Sequence, residues 1–394
     1  MGEQQSAFAV AEVLGILRRP LQVERLCAEA QRLAGCDDFG ADDIVEALGR
    51  LLAACALEAD LSVLGLFMTR WDVLRFLRNM LCLRREEHET PAILAERIAA
   101  PLVITGLPRS GTSFLHALLL QDGENQGVRV WQTLYPCAGA EDAVRRVARQ
   151  LRLFERLAPE FRSLHPLEAT SPQECSEITA HVFQSLRFDM TYRVPSYRAW
   201  LDAAGHLAAY RFHRRFLQHL QYRSRKRGTW VLKCPDHVFA LSAVRAVYPD
   251  ARVVFVHRDP LGVLGSITRL TEVVRRPFSR TIDRAELGAE QAQRWQEGAE
   301  RMIAAADAEP FAAPICHVHY RHLVADPLGS VAAICRHFGQ TFAPEAAAAM
   351  RRYVDAYPRG GYGEHRYAME DYGLAPETER ARFARYRERF GVLD

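Results

Sequence analysis

The chain has 394 residues, 51 basic and 48 acidic, for a formal net charge of +3. That balance is too small to imply binding to nucleic acid or to a membrane surface. Its 49% apolar content is that of an ordinary soluble globule with one large core or two. No stretch of about 18 uncharged apolar residues occurs, so no membrane span is expected.

The start, Met1-Gly-Glu-Gln-Gln5, lacks the basic opening and apolar core of a secretory leader. Gly2 with Ser6 fits a loose myristoylation pattern of the kind chance supplies. Residues 7 to about 97 read as helices throughout. Ala41 to Cys55 opens on residues of N-cap type and then places apolar groups at helical spacing, and Val63 to Leu83 continues likewise. The expected organisation is a helical extension over 1–97 followed by an α/β domain over 98–394.

The apolar run Leu102 to Thr105 predicts a buried strand over 101–105, and Phe114 to Leu120 a buried helix over 112–121. Between them lie Gly106, Pro108, Arg109, Ser110, Gly111, Thr112 and Ser113. Strand, glycine turn and helix aim free backbone N–H groups at an anion, and the helix start adds roughly half a positive charge. The nucleoside-triphosphate P-loop needs lysine directly after its second glycine. Here Thr112 takes that place and the cation sits in the turn as Arg109. A phosphate-type anion is expected, without the usual grip on a magnesium triphosphate.

Helices follow over 140–157, 173–187 and 205–224. Trp230 to Lys233 closes a strand over 229–233. Of the 51 basic residues only Lys226 and Lys233 are lysine. Lys226 belongs to a basic surface turn, whereas a lone ammonium at a strand end suits chemistry that needs a compact charge. A helix over 236–248 leads to a strand over 252–257, whose continuous apolar run suits a sheet covered on both faces. Arg258 at its exit and Ser266 on the following helix, 260–275, read as a second anion site. The plainer alternative is an Arg258–Asp259 surface pair with a solvated Ser266. His257-Arg258-Asp259 and Asp38-Phe-Gly40 mimic kinase triplets but have neither the asparagine nor the glycine-rich loop that would give them meaning.

The remaining elements are helices over 284–306 and 328–339 and a strand over 314–320. Arg359 to Tyr367, rich in glycine and tyrosine, reads as a loop. His317, His319 and His322 lack a partner at metal-ligand spacing, so no zinc site is expected. Nine cysteines without a C-x-x-C pair read as reduced core residues of a cytoplasmic protein. The fold expected is an α/β, P-loop-type parallel sheet flanked by helices, with its ligand site at the carboxyl ends of the strands.

These motifs together resemble the sulfotransferases that use 3′-phosphoadenosine 5′-phosphosulfate (PAPS), in particular the bacterial branch that shares core motifs with tyrosylprotein sulfotransferases. The resemblance extends to Tyr320–Pro327, to His365–Tyr367 and Asp371–Leu374, and to the helical N-terminal part. It implies that Gly106 and Pro108 to Ser113 cradle the 5′-phosphosulfate, that Arg258 and Ser266 hold the 3′-phosphate, and that Lys233 and Arg109 neutralise charge on the bridging oxygen. The implied product is adenosine 3′,5′-bisphosphate, and no metal is required.

The chain departs from the family at the general base, where Gln132 stands near the place of an expected glutamate. Substitutes are His237, four residues past Lys233, or the His165 and Glu168 cluster with Glu174 close by. Glu174 and His237 also have plain readings, as a helix-start residue and a capping residue. His116 reads as buried and hydrogen-bonded. A small-molecule or lipid-like acceptor is implied; Phe183 to Trp200 reads either as a wall of its pocket or as buried core, and the oligomeric state is open. Two rivals remain: a small-molecule kinase or other NTPase with a degenerate loop, and a non-catalytic nucleotide-binding protein.

Overall fold

The computed structural model describes residues 21–40, 44–308, 311–356 and 368–392. The Met1 start, Gly2, Ser6, Asp42 and the Arg359–Tyr367 stretch lie outside them.

Three helices come first: α1 (Val23–Ala34), α2 (Ile44–Glu58) and α3 (Val63–Glu89). Ser62 caps α3, its Oγ accepting from the Gly65 N–H at 2.9 Å. The sheet has five parallel strands: β1 (Leu102–Gly106), β2 (Asn125–Gln126), β3 (Thr229–Lys233), β4 (Arg252–His257) and β5 (Cys316–His319), in the order β2-β3-β1-β4-β5. Its register sets Ile104 beside both Lys233 and Val254. The exits of β1, β3 and β4 therefore lie side by side, which is where a sheet of this kind binds its ligand. The two residues of β2 carry no apolar run and gave no sequence signal.

Side chains alternate across the strands and so separate two cores. Leu102, Ile104, Val231, Val254, Val256 and Val318 face one way, onto helix α4 (Thr112–Leu119) and later helices. Val103, Trp230, Leu232, Val253 and Phe255 face the other way, into a larger cluster that runs without interruption into α1, α2 and α3. Around this frame lie α5 (Ala140–Leu157), α6 (Leu207–Ser224), α7 (Leu261–Arg275), α8 (Arg284–Asp307) and α9 (Pro327–His337).

The helix expected over 173–187 is broken. A turn at Ser176–Thr179 passes through a 3₁₀ segment to Phe183, at φ +54°, and a new helix begins at Arg187. The buried Tyr197 hydroxyl donates to the Phe183 carbonyl at 2.8 Å and accepts from the Ser185 N–H at 3.0 Å. A tertiary contact thus satisfies groups that a continuous helix would have used. The helix expected over 236–248 likewise splits, into a 3₁₀ turn Pro235–Phe239 and a helix Leu241–Val247. Among the described residues no helix is long and apolar enough to cross a membrane. Five of the nine cysteines are only half-buried, so the reading of them all as core residues fails; all nine are free thiols.

Candidate active site

The turn after β1 is built around backbone that a side chain would obstruct. Gly106 has φ +153°, and a Cβ there would lie 2.3 Å from the Val256 carbonyl oxygen. Gly111 has φ +90°, and its Cβ would meet the Tyr320 ring at 3.0 Å. Arg109 itself holds φ +60°, a conformation that costs a non-glycine residue about 1–3 kcal/mol and is kept only where its surroundings fix it. Hydrogen bonds of its side chain contribute to this. Its Nε donates to Ser266 Oγ at 3.0 Å, and its Nη1 donates to the Leu164 carbonyl at 2.9 Å. Buried Ser110 closes the turn by donating to the Leu107 carbonyl at 2.6 Å. Pro108, Arg109, Gly111, Thr112 and Ser113 face a large cleft, while Gly106 and Ser110 form the frame behind them.

The second turn meets the first directly. Arg258 Nη1 donates to the Arg109 carbonyl oxygen at 2.6 Å, and the guanidinium stacks 4.3 Å above the Tyr320 ring. Asp259 accepts from Arg387 Nη2 at 3.1 Å. Arg109, Arg258 and Ser266 thus form one connected cluster spanning two strand exits.

Lys233 ends β3 just outside the cleft lining and bridges two residues that belong to it. Its buried ammonium donates to Ser113 Oγ at 3.0 Å and also to the carboxylate of Glu174. Burial alone would push the Glu174 carboxyl up, but Lys233, then His165 and Arg109, hold it below its usual range. His165 shares this wall. Burial first, with Lys233 and Arg109 adding and Glu174 opposing, brings it down to about 4, so the ring is neutral at pH 7. Asp236, three residues after Lys233, also faces the cleft. Burial and the nearby Glu174 raise its carboxyl to about 7.

Two expected base residues lie elsewhere. His237 is buried behind the cleft because the Pro235–Phe239 turn presents Pro235, Asp236 and Phe239 to it and points His237 inward. Its Nδ1 bonds the Tyr210 hydroxyl, its Nε2 has no partner, and burial keeps it neutral. Glu168 is exposed, outside the cleft lining, in a turn where its N–H donates to Ser171 Oγ at 3.0 Å. Gln132 caps the short helix Val130–Leu134, accepting from the Arg129 N–H at 2.8 Å. His116 is buried with Nε2 against the Val231 carbonyl at 3.1 Å. Sequence reasoning did not single out Asp236 and left Glu174 open between a base and a helix-start residue. The one available signal was closeness in sequence, Asp236 to Lys233 and Glu174 to His165.

Beyond the loop the cleft opens to about 2090 Å³. Its walls are mostly apolar: Phe67 and Trp71 from α3, Leu151, Phe154 and Leu157 from α5, and Leu270 and Val274 from α7. From the Phe183–Trp200 segment only Leu186, Arg187, Asp189, Met190 and Thr191 reach it, while Phe183, Phe188, Tyr192 and Tyr197 are core. Cys82, Glu86 and Cys137 bring their ligand-type atoms within 4.8 Å of one another, the one such group among the described residues. That group lies off the cleft. Arg223 already holds Glu86 and Arg85 Nη2 lies 3.8 Å from Cys82 Sγ, so guanidinium charge occupies its surroundings.

A family model described as the sulfotransferase family matches residues 101–344. Among solved structures, sulfotransferase STF1 from Mycobacterium tuberculosis H37Rv aligns with 93% of this chain and 99% of its own, at 35% identity and a TM-score of 0.81. Sulfotransferase STF9 from Mycobacterium avium aligns with 94% and 97% at a TM-score of 0.81; at 24% identity that likeness is one of fold. The omega-hydroxy-beta-dihydromenaquinone-9 sulfotransferase Stf3 of Mycobacterium tuberculosis (strain CDC 1551 / Oshkosh) is 29% identical over 204 residues, covering 46% of this chain and 48% of that protein. The match thus spans about half the length of that relative.

Proposed function

This chain belongs to the sulfotransferase family, and we propose that it moves a sulfuryl group from PAPS to a hydroxyl of a lipid-like acceptor held in the apolar cleft. The observation that carries the proposal is the joining of Arg109 and Arg258 at one end of that cleft, with Ser266 and Lys233 bonded to the same loop just outside the lining. Such a cluster suits one ligand with two separated phosphate groups. Loop N–H groups and Arg109 hold the phosphosulfate side, and Arg258 and Ser266 hold the 3′-phosphate. Backbone donors and fixed guanidinium groups serve both without a metal.

PAPS supplies an activated sulfuryl group when bound. The acceptor oxygen forms a bond to sulfur while the bond from sulfur to the bridging phosphate oxygen breaks, and that oxygen keeps the electron pair. Lys233 and Arg109 stabilise the charge gathering there, and positioning does most of the remaining work. Glu174 is the base of this reading. It is ionised, it lines the cleft and it touches Lys233. Glu168 and His237 have no part.

A hydroxylated apolar acceptor is supported by the cleft walls and by a relative named for an omega-hydroxy dihydromenaquinone. The helical part within 1–97 acts as one wall of the acceptor site, through Phe67 and Trp71. Nine free thiols support a reducing, cytoplasmic setting.

The test is transfer of labelled sulfate from PAPS into a broad cell extract, with mass spectrometry of the product. A sulfated apolar alcohol is expected. Absence of any sulfated product, with thermal stabilisation by magnesium ATP instead of adenosine 3′,5′-bisphosphate, overturns the proposal in favour of a kinase-like protein.

A further inference from the structure

The mouth of the cleft combines exposed apolar side chains with a dense run of arginines. Four large apolar side chains line it and are yet open to solvent, three of them from α3 and α5: Phe67 at 51% exposure, Trp71 at 39% and Leu153 at 58%, with Val324 the fourth. Phe67 and Trp71 are four residues apart on α3 and so neighbour each other on one face. Leu153 belongs to α5, whose sequence from residue 145 onward carries Arg145, Arg146, Arg149, Arg152 and Arg156 against a single acidic residue, Glu155. All five arginines are exposed. Arg149 and Arg156 stand four residues before and three after Leu153, so they flank it on the same side of the helix. Among the described residues none of Arg149, Arg152 and Arg156 pairs with a carboxylate. The opposite side of α5 buries Ala143 and Val147. On the solvent side of α5 the arginines thus surround an exposed apolar residue, a mix of cationic and apolar groups that suits an anionic lipid interface. The chain's net charge of +3 averages this local concentration away.

We propose that the cleft mouth docks on an anionic lipid bilayer, with the α5 arginines against the headgroups and Phe67, Trp71 and Leu153 entering the acyl boundary. The inference rests on the lipid-like-acceptor reading above and gives that acceptor its source, since the cleft would open directly onto the membrane that dissolves it. Arginine matches anionic headgroups, and Trp and Phe favour the interfacial level. An acidic protein surface is the rival occupant.

The test is flotation of the full chain with vesicles of phosphatidylcholine alone or of equal parts phosphatidylcholine and phosphatidylglycerol. The chain should float with the mixed vesicles far more than with the neutral ones, and added salt should release part of it. Arg149→Glu with Arg156→Glu should lower the bound fraction at least about tenfold. Phe67→Ser with Trp71→Ser should lower it several-fold. Arg225→Glu with Arg227→Glu, in the basic turn after α6 and away from the cleft, should leave it unchanged. A melting curve confirms that each variant is folded, and the wild-type contrast between the two vesicle types decides even if one is not.

Absence of flotation, equal flotation with both vesicles, or an equal loss in the control pair overturns the inference. Sulfate transfer into a detergent-dispersed extract separates the two readings. Transfer without vesicle binding sinks only the docking surface, whereas vesicle binding without transfer sinks the enzymatic reading on which the docking surface rests.

Discussion

The two ends of the cleft are made in different ways. The donor end consists of polar groups from two strand-exit turns and one strand end, held by hydrogen bonds between 2.6 and 3.0 Å. The acceptor end consists of apolar side chains from α3, α5 and α7, brought together from widely separated stretches of chain. Gripping a doubly phosphorylated ligand demands particular residues at particular places. Walling in an apolar molecule demands volume and hydrophobicity, which many residues supply. Substitutions should therefore act sharply at the donor end and gradually at the acceptor end.

The sharpest break in that contrast is Lys233→Ala, which should reduce kcat about 10²–10³-fold. A pure binding protein would show no turnover to lose. Gly106→Ala comes next, because its Cβ would fall 2.3 Å from a backbone oxygen that cannot move without disturbing β4. A loss of about 3 kcal/mol in urea unfolding is expected. Arg258→Ala should weaken adenosine 3′,5′-bisphosphate binding about 10–100-fold, the range for a lost charge-assisted hydrogen bond. At the acceptor end Phe154→Ala removes a ring packed at 5.0 Å against Phe161. It should raise the acceptor KM a few-fold and leave the donor KM unchanged. An equal effect on the donor KM would show that the two ends are not separable.

The smallest effect is pH-dependent. Asp236 is raised to about 7 by burial and by Glu174, above its ordinary 3.8. Below about pH 4 the carboxyl is protonated whether folded or unfolded and contributes no difference. Between about pH 4 and 7 the unfolded chain gives up this proton while the folded chain keeps it, so stability falls across that window and the loss is complete above about 7. Asp236→Asn should therefore raise Tm by a few degrees at pH 8 and by nothing at pH 4. A Tm gain that is the same at both values would contradict the assigned titration.

The donor end was readable in the sequence because its chemistry fixes residue type and spacing. Gly106, Arg109 and Gly111 near β1, and Arg258 and Ser266 near β4, are legible for that reason, as are the strands whose uninterrupted apolar runs mark a sheet covered on both faces. The acceptor end was not. Phe67, Trp71 and Leu153 look like any apolar residues on helices, and only the packing of α3 into the larger core and of α5 against the Val130–Leu134 helix brings them to the cleft. Placement of the base failed for a similar reason. His237 and Asp236 are adjacent in the chain, and the 3₁₀ turn that decides which of them faces the cleft leaves no mark in composition. Phe183 misled because a hydroxyl from Tyr197 ends the helix there, and no local signal announces it.

The central claim is that two guanidinium-bearing turns hold one adenosine bisphosphate in a single cleft. Calorimetric titration with adenosine 3′,5′-bisphosphate in the presence of EDTA tests it directly. The account predicts one molecule bound per chain without metal, with Arg109→Ala and Arg258→Ala each weakening binding and the double variant losing less than the sum, since the two residues share a hydrogen bond. Failure to bind without magnesium, or losses that simply add as for separate sites, would contradict it.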